Sequence, residues 1–438
     1  MSRKTILFFF SLLSSLHFLS ARSPFIQEGV WIKDPQLKYY SYLKNQTEFV
    51  IDHRKAKGFE LYGTKELYKF LDENHIPYTK LDLAASQKSA SKYPSFQKIE
   101  AKLKKLHHDY PQQTQLMSIG KSVLGRDLYF LKISKNPTTD AKLPEFKYIS
   151  SMHGDEITGR ELMISLAEDL LSGYGKDSKI TELIDNTEIY IMPSMNPDGS
   201  ELRQRYNANN ADLNRDFPDF TSDPQNTAEG RQIETAAIMK FQSERNFSLS
   251  ANFHGGSEVV NYPWDTTDMA HPFEALLKEL SLGYAQLVPY IFQSREFPQG
   301  ITNGFAWYEV NGGMQDWSEF YYHDLQFTVE LSDAKWPDYN KIPKYYQDNK
   351  TALIEFIKKI HQGSGFYFKN KTEMTGSVTI SKATKELGTY QFNHGEFYRV
   401  LEPGLYDFSV NSADGKSYTF TTTVREDEIK SSNHYTIL

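Results

Sequence analysis

The chain reads as an α/β protein, a sheet covered by helices, followed by a small antiparallel β-sandwich. Two patterns predict this. Between residues 93 and 364 short apolar runs alternate with amphipathic helical segments, and from 366 to 438 polar and apolar residues alternate with period two. At 438 residues the chain is too long for one ordinary core, so a main domain with smaller companions is expected.

The elements follow in chain order. Residues 1–22 have a basic start, an apolar stretch from Ile6 to Leu19 and small residues at Ser20 and Ala21, the build of a secretory signal peptide. No later segment approaches 18 uninterrupted apolar residues. The expectation is a soluble protein, secreted or extracytoplasmic, periplasmic in a Gram-negative host, with no stable membrane span once the signal is cleaved. Residues 23–92 contain "EFVIDH", "TKELYKFLDENH" and "PYTKLDL", which read strand, helix, strand, and end in the linker-like "AASQKSASKYPS". This module is either prodomain-like or an extension packed on the main domain.

In residues 93–364, "RDLYFLKIS", "EFKYISSM", "EIYIMPSM", "FSLSANF" and "LQFTVELS" read as buried strands. "FQKIEAKLKKLHHDY", "ITGRELMISLAEDLLSG" and "GRQIETAAIMKFQSE" read as helices. The last helix ends at Gly363. Beyond it "GSVTISK", "GEFYRVLEPGLYDFSV", "KSYTFTTTV" and "HYTIL" make the sandwich, which is marginal alone without disulfides and should pack on the main domain.

Composition narrows the function. A net charge of −7 argues against nucleic acid as a partner, because phosphate contacts need a basic surface. The chain has no cysteine, so any metal must be held by His, Asp or Glu.

Such residues gather at strand ends. His153 and Glu156 follow directly on "FKYISSM", His254 ends "SLSANFH", and Glu330 ends "FTVE". HxxE alone is a common chance pair, but ligands in open α/β sheets collect beyond the carboxyl ends of strands. Two histidines and a carboxylate leave one position open on a tetrahedral Zn²⁺, as catalytic zinc requires. Glu330 is then a spare carboxylate suited to general-base work. Between them, "RYNANNADLNRDFPD" offers Arg205, Asn214 and Arg215, donors that recognise a carboxylate.

These segments, with "IGKSVLGRDL", "HGDEITGREL", "IMPSMNPDG", "NFHGGSEVVNYPWD" and "ITNGFAWYEVNGGMQDW", resemble the zinc metallocarboxypeptidases, within them the regulatory branch of carboxypeptidases N, E, M and D. The resemblance covers about residues 94–362. It implies a mixed sheet covered by helices, and "GEFYRVLEPGLYDFSV" is similar to the transthyretin-like sandwich that follows the catalytic domain in that branch. It further implies one Zn²⁺ per chain on His153, Glu156 and His254, with Glu330 as general base and Arg205 polarising the scissile carbonyl. Asn214 and Arg215 would bind the terminal carboxylate and Tyr308 would cap the substrate. Asp265 and Gln315 would line a pocket for a C-terminal Arg or Lys.

The implied function is a carboxypeptidase acting on peptide or protein C-termini, most simply as a monomer. An amidase acting on cell-wall peptides or acyl-amino acids, and an inactive binding protein, are the alternatives. The chain departs from the branch at Asp155, where Asn is usual, and in "LSDAKWP" after Glu330, where the branch has a more polar or cysteine-bearing segment.

Overall fold

The computed structural model describes residues 27–44, 46, 48–81, 92–139, 142–369, 371–426, 429 and 435–438. The expected signal segment lies outside them, as does most of the linker-like run. Among the described residues no helix is long and apolar enough to cross a membrane.

The first module is a four-stranded sheet: β1 (Glu28–Lys33), β2 (Val50–Lys55), β3 (Gly58–Gly63) and the two-residue β4 (Thr79–Lys80), in the order β2-β3-β1-β4. Helices Lys38–Leu43 and Glu66–Glu73 accompany it. Sequence reading found β2, the second helix and β4, and missed β1 and β3. "EGVWIK" and "GFELYG" are short, glycine-bounded runs whose stability comes from pairing with each other, Glu28 to Gly63 through Lys33 to Gly58. The module has its own core of Val30, Ile32, Phe59, Leu61, Leu67 and Leu71.

The main sheet has eight strands: β5 (Thr114–Lys121), β6 (Asp127–Ile133), β7 (Glu145–Ser150), β8 (Glu188–Met192), β9 (Phe247–His254), β10 (Ser257–Tyr262), β11 (Ile301–Asn303) and β12 (Leu325–Ser332). Their order is β11-β10-β12-β9-β7-β8-β6-β5. The central strands β12, β9, β7 and β8 run parallel, while β10 against β12, β6 against β8 and β5 against β6 are antiparallel, so the sheet is mixed.

Side-chain alternation sorts the two faces. Phe146 and Tyr148 of β7, Leu249, Ala251 and Phe253 of β9, and Phe327, Val329 and Leu331 of β12 all join one core. Helices Thr158–Gly173, Glu274–Ala285 and Ile342–Lys358 contribute their buried faces to that core. On the other face Ile149, Tyr190 and Met192 pack with Ile238, Phe241 and Trp317 from helices Ile233–Ser243 and Met314–Tyr322. Towards β9 and β12 this second face turns polar: Ser250, Asn252, His254, Gln326, Thr328 and Glu330 are all buried there. A polar stripe in the middle of a sheet is costly unless it serves a ligand or is fully hydrogen-bonded.

The C-terminal part is two small sheets. One has the order β16-β13-β19, from β13 (Gly363–Tyr367), β16 (Glu396–Val400) and β19 (Tyr435–Ile437). The other has the order β15-β14-β17-β18, from β14 (Gly376–Lys382), β15 (Lys385–Phe392), β17 (Gly404–Ser412) and β18 (Ser417–Val424). Strand β13 straddles the expected boundary at 364–366 and so ties the sandwich directly to the last helix. Its core residues Phe366, Val378, Phe397 and Phe408 are continuous with the main core. Ser248 of β9 also donates to the Tyr398 carbonyl at 2.9 Å.

Candidate metal and substrate site

The parallel strands bring their carboxyl ends to one edge, and the site is built there. Glu330 and His254 are paired neighbours in adjacent parallel strands. His153 and Glu156 come from the loop after β7. That loop is held by Asn196, which caps helix Pro197–Leu202 by accepting from Gly199 N at 2.8 Å. The Asn196 amide also donates to the carbonyls of Met152 at 3.2 Å and Arg205 at 3.3 Å, fixing the histidine loop against the arginine. Gly154 makes this approach possible, since a Cβ there would lie 2.1 Å from the Gly199 carbonyl carbon. Asp198, two residues on, takes hydrogen bonds from Ser122 Oγ at 2.8 Å, Leu124 N at 2.8 Å and Arg126 at 2.5 Å. The "NPDG" and "KSVLGRD" segments are thus two halves of one bracket beneath the site.

Three ligand atoms converge. His153 Nδ1 lies 3.0 Å from Glu156 Oε2 and 3.0 Å from His254 Nδ1, and His254 Nδ1 lies 2.8 Å from Glu156 Oε2. The other ring nitrogen of His153, Nε2, faces Asp212 Oδ1 at 3.1 Å. Donating that N–H to Asp212 leaves Nδ1 as a lone pair turned toward a second imidazole and a carboxylate. Zn²⁺ with bonds of about 2.0–2.1 Å spaces its tetrahedral ligands roughly 3.3 Å apart, close to what is seen. The donor set and its geometry therefore fit a zinc ion.

Around this triad stand the candidate substrate residues. A cavity of about 20 Å³ is lined by His153, His254, Glu330, Arg205, Asn214, Asp265 and Tyr308, among others. Arg205 is fully buried. Its Nε donates to Asp212 at 2.8 Å and its Nη1 lies 3.4 Å from Glu156 Oε1. Burial alone would raise the Asp212 carboxyl, but Arg205 and His153 together hold it well below the usual carboxylate range.

Arg215 lies beside the cavity, donating to the Asn214 carbonyl at 2.8 Å. Asp265 accepts from Asn261 Nδ2 at 2.9 Å, and its backbone N–H donates to both oxygens of Asp316 at 2.9 and 3.0 Å. Burial pushes the Asp265 carboxyl up to about 6, against the opposing pull of Asn261 and Arg215. Gly304 lies so close that a Cβ there would sit 1.6 Å from Asp265 Oδ1. Gln315 is buried with both amide atoms lacking a protein partner, and it does not line the cavity.

Sequence reasoning did not anticipate Asp52, His53 or Lys335. Asp52 Oδ2 accepts from Arg205 Nη1 at 2.6 Å and Lys335 Nζ at 2.8 Å, and Tyr308 donates to Asp52 Oδ1 at 3.2 Å. Arg215 Nη2 donates to the Ile51 carbonyl at 3.3 Å. His53 Nε2 lies 3.9 Å from Glu330 Oε2. Lys335 belongs to the divergent "LSDAKWP" segment, and Asp155, the other departure, lies within its electrostatic reach. Those departures were the available signal, though nothing in them named residue 52 as partner. A larger cleft of about 410 Å³ lies elsewhere, lined by Lys132, Lys142, Glu145, Glu188 and Glu396 among others. Lys132 pairs with Glu188 and Lys142 with Glu396 there, and the cleft holds none of the candidate site residues.

A mixed α/β sheet with a two-histidine, one-glutamate centre at its strand ends defines a class, and comparison with known proteins gives the same one. Residues 99–352 match the family profile described as zinc carboxypeptidase. The chain belongs to this family, whose cofactor is Zn²⁺. It is 40% identical over 354 residues to carboxypeptidase M of Mus musculus, covering 74% of this chain and 79% of that protein. It is 34% identical over 369 residues to the carboxypeptidase N catalytic chain of Homo sapiens, covering 74% and 81%. To carboxypeptidase D of Mus musculus it is 39% identical over 360 residues, covering 76% of this chain but only 26% of that much longer protein. Among solved structures, the carboxypeptidase A from Helicoverpa armigera shares the fold with a TM-score of 0.61 at 19% identity, covering 76% of this chain and 96% of that one.

Proposed function

We propose that the chain is an exported zinc carboxypeptidase that hydrolyses the last peptide bond of peptides or proteins and releases Arg or Lys. The observation that carries the reading is the convergence on one cavity of a zinc-type donor triad, a spare carboxylate, carboxylate-binding donors and an acidic pocket. Bound to His153, Glu156 and His254, Zn²⁺ would supply an acidified water and a Lewis acid for the scissile carbonyl.

The chain's own groups divide the remaining work. Glu330 takes a proton at its carboxylate and later returns it to the leaving amine. Arg205, oriented by Asp212, points its guanidinium at the position of the scissile carbonyl oxygen and stabilises negative charge there. Arg215 and Asn214 bind the terminal carboxylate, with Arg215 able to offer a two-pronged donor. Tyr308 closes over the substrate and excludes water. Asp265 attracts a guanidinium or ammonium and leaves an apolar side chain facing an unpaired charge, so it selects by both effects. Gln315, buried with unpartnered amide atoms, would serve as an auxiliary donor or acceptor for the same side chain. The sandwich at 366–438, read as transthyretin-like, buttresses the catalytic domain through the shared core, and the protein acts as a monomer.

The test is a panel of N-blocked dipeptides differing only in the last residue. The reading expects Arg and Lys ends to be cut with the highest kcat/KM. Preference for Phe or acidic ends would refute the Asp265 pocket. Cleavage of amidated or acyl substrates with no need for a free carboxylate would favour the amidase instead.

A further inference from the structure

We propose that the first module is a built-in inhibitor whose tripeptide Ile51-Asp52-His53 sits where the carboxyl end of a substrate must lie, so that turnover requires this module to leave the cleft. The inference rests on the carboxypeptidase reading and adds regulation to it.

Three of the groups assigned to substrate, Arg205, Tyr308 and Arg215, already have a partner from these three residues. The Arg205 guanidinium holds the Asp52 carboxylate at 2.6 Å, where it would otherwise face a scissile carbonyl. The Tyr308 hydroxyl donates to the same carboxylate at 3.2 Å, and Arg215 donates to the Ile51 carbonyl at 3.3 Å. His53 lies 3.9 Å from Glu330 and closes over Gly256, whose missing Cβ would fall 2.5 Å from the imidazole. The remaining cavity of about 20 Å³ has room for one or two water molecules, not for an arginine residue.

Local structure delivers the wedge. The β2–β3 ladder loses register between Asp52 and Lys55, and His53 adopts φ +43°, so the strand bulges at the residues that enter the site. Bulges of this kind re-aim side chains. Electrostatics holds it there: burial opposes the charge on Asp52, yet Arg205, His53 and Lys335 keep its carboxyl well below the usual range. Lys335 also reaches Tyr62 Oη at 3.0 Å and Glu60 at 3.5 Å, so one catalytic-domain lysine gathers three residues of the module.

The module is equally built to separate. All the residues of its core lie within the module itself. Outside the wedge and the Lys335 contacts few bonds hold it: Gln27 Oε1 accepting from Arg205 N at 2.8 Å, Lys44 to Glu309 at 3.4 Å, Arg54 to the Ala306 carbonyl at 3.1 Å, Trp307 to the Arg54 carbonyl at 2.7 Å, and Tyr40 against the Trp307–Tyr308 cluster. A polar junction of this kind between two cores resembles a transient protein–protein interface more than a shared core.

The experiment compares the full-length zinc-loaded protein with Asp52→Ala and with the rim variant Lys44→Ala/Arg54→Ala. Two quantities are read: kcat/KM on an N-blocked dipeptide ending in Arg, and the Kd of free L-arginine by calorimetry, which needs no catalysis. The proposal expects Asp52→Ala to raise kcat/KM and tighten L-arginine binding at least about tenfold, the rim variant moving both in the same direction by less. A native protein that turns over and binds L-arginine as well as both variants overturns it. If no variant cuts any dipeptide but L-arginine binding tightens, the inhibitory wedge stands and the peptidase reading falls. If no variant cuts any dipeptide and L-arginine binding does not change, both fall. Should Asp52→Ala fail to fold by circular dichroism, the rim variant, which removes no buried charge, decides.

Discussion

Glu330 and His254 are neighbours across parallel strands, which places the proposed base beside a proposed ligand without making it one. Glu330→Gln keeps the shape and removes the proton acceptor. Turnover should fall about 10²–10⁴-fold while zinc content by mass spectrometry stays at one per chain; near-native turnover would move the base elsewhere. Asp265 makes a pH prediction. Its carboxyl is pushed up to about 6 by burial, and only its ionised form attracts a basic side chain. The kcat/KM ratio for Arg over Leu ends should therefore fall as pH drops through about 6, and Asp265→Asn should flatten that dependence. A ratio that rose in acid would refute the assignment. At this scale the sequence was informative because residue type and strand-end position carry the chemistry. Gln315 is the exception, since whether a buried amide reaches the cavity depends on packing that spacing cannot show.

Individual elements are held to one another by a few buried charges. Arg399 of β16 donates to Glu319, on helix Met314–Tyr322, at 2.9 Å, and His271 Nε2 lies 3.2 Å from the same carboxylate. Burial would raise the Glu319 carboxyl, but Arg399 and His271 bring it from the ordinary 4.5 to about 2. A carboxyl depressed by folding contributes stability above its unfolded value, so this contribution is present above about pH 4.5 and disappears as pH falls toward 2. Arg399→Ala leaves the buried Glu319 carboxylate with only His271 beside it and should cost roughly 3–5 kcal/mol in urea unfolding at pH 7. Adding Glu319→Leu should recover much of the loss; a single variant as stable as the native protein would show the junction is held by packing alone.

Strands β5, β10 and β11 of the main sheet went unread, being mixed in polarity or only three residues long, whereas β6, β7, β8, β9 and β12 were readable because their runs are apolar. Strands β1, β3 and β13 were not, because short glycine-bounded segments become strands only through partners distant in sequence. The same limit hid the Asp52–Arg205 pair, 153 residues apart in the chain.

For the whole molecule, the sequence made the candidate catalytic face legible and left its occupant open between prodomain-like module and packed extension. The two departures from the regulatory branch, Asp155 and the Lys335 segment, both face that occupant, which joins them into one physical account. Carboxylate recognition remains the property that separates an exopeptidase from any other use of this fold. Arg215→Ala should reduce kcat/KM on free C-termini by an amount equivalent to roughly 2–5 kcal/mol, leaving zinc content unchanged. The most direct measurement needs only one pair of substrates: an N-blocked dipeptide ending in Arg, with its terminus free or amidated, given to the zinc-loaded protein and to Asp52→Ala. The account predicts that in both proteins the free acid is cut at least about 30-fold more efficiently, the lower end of that energy range. Equal cleavage of the amide would contradict it.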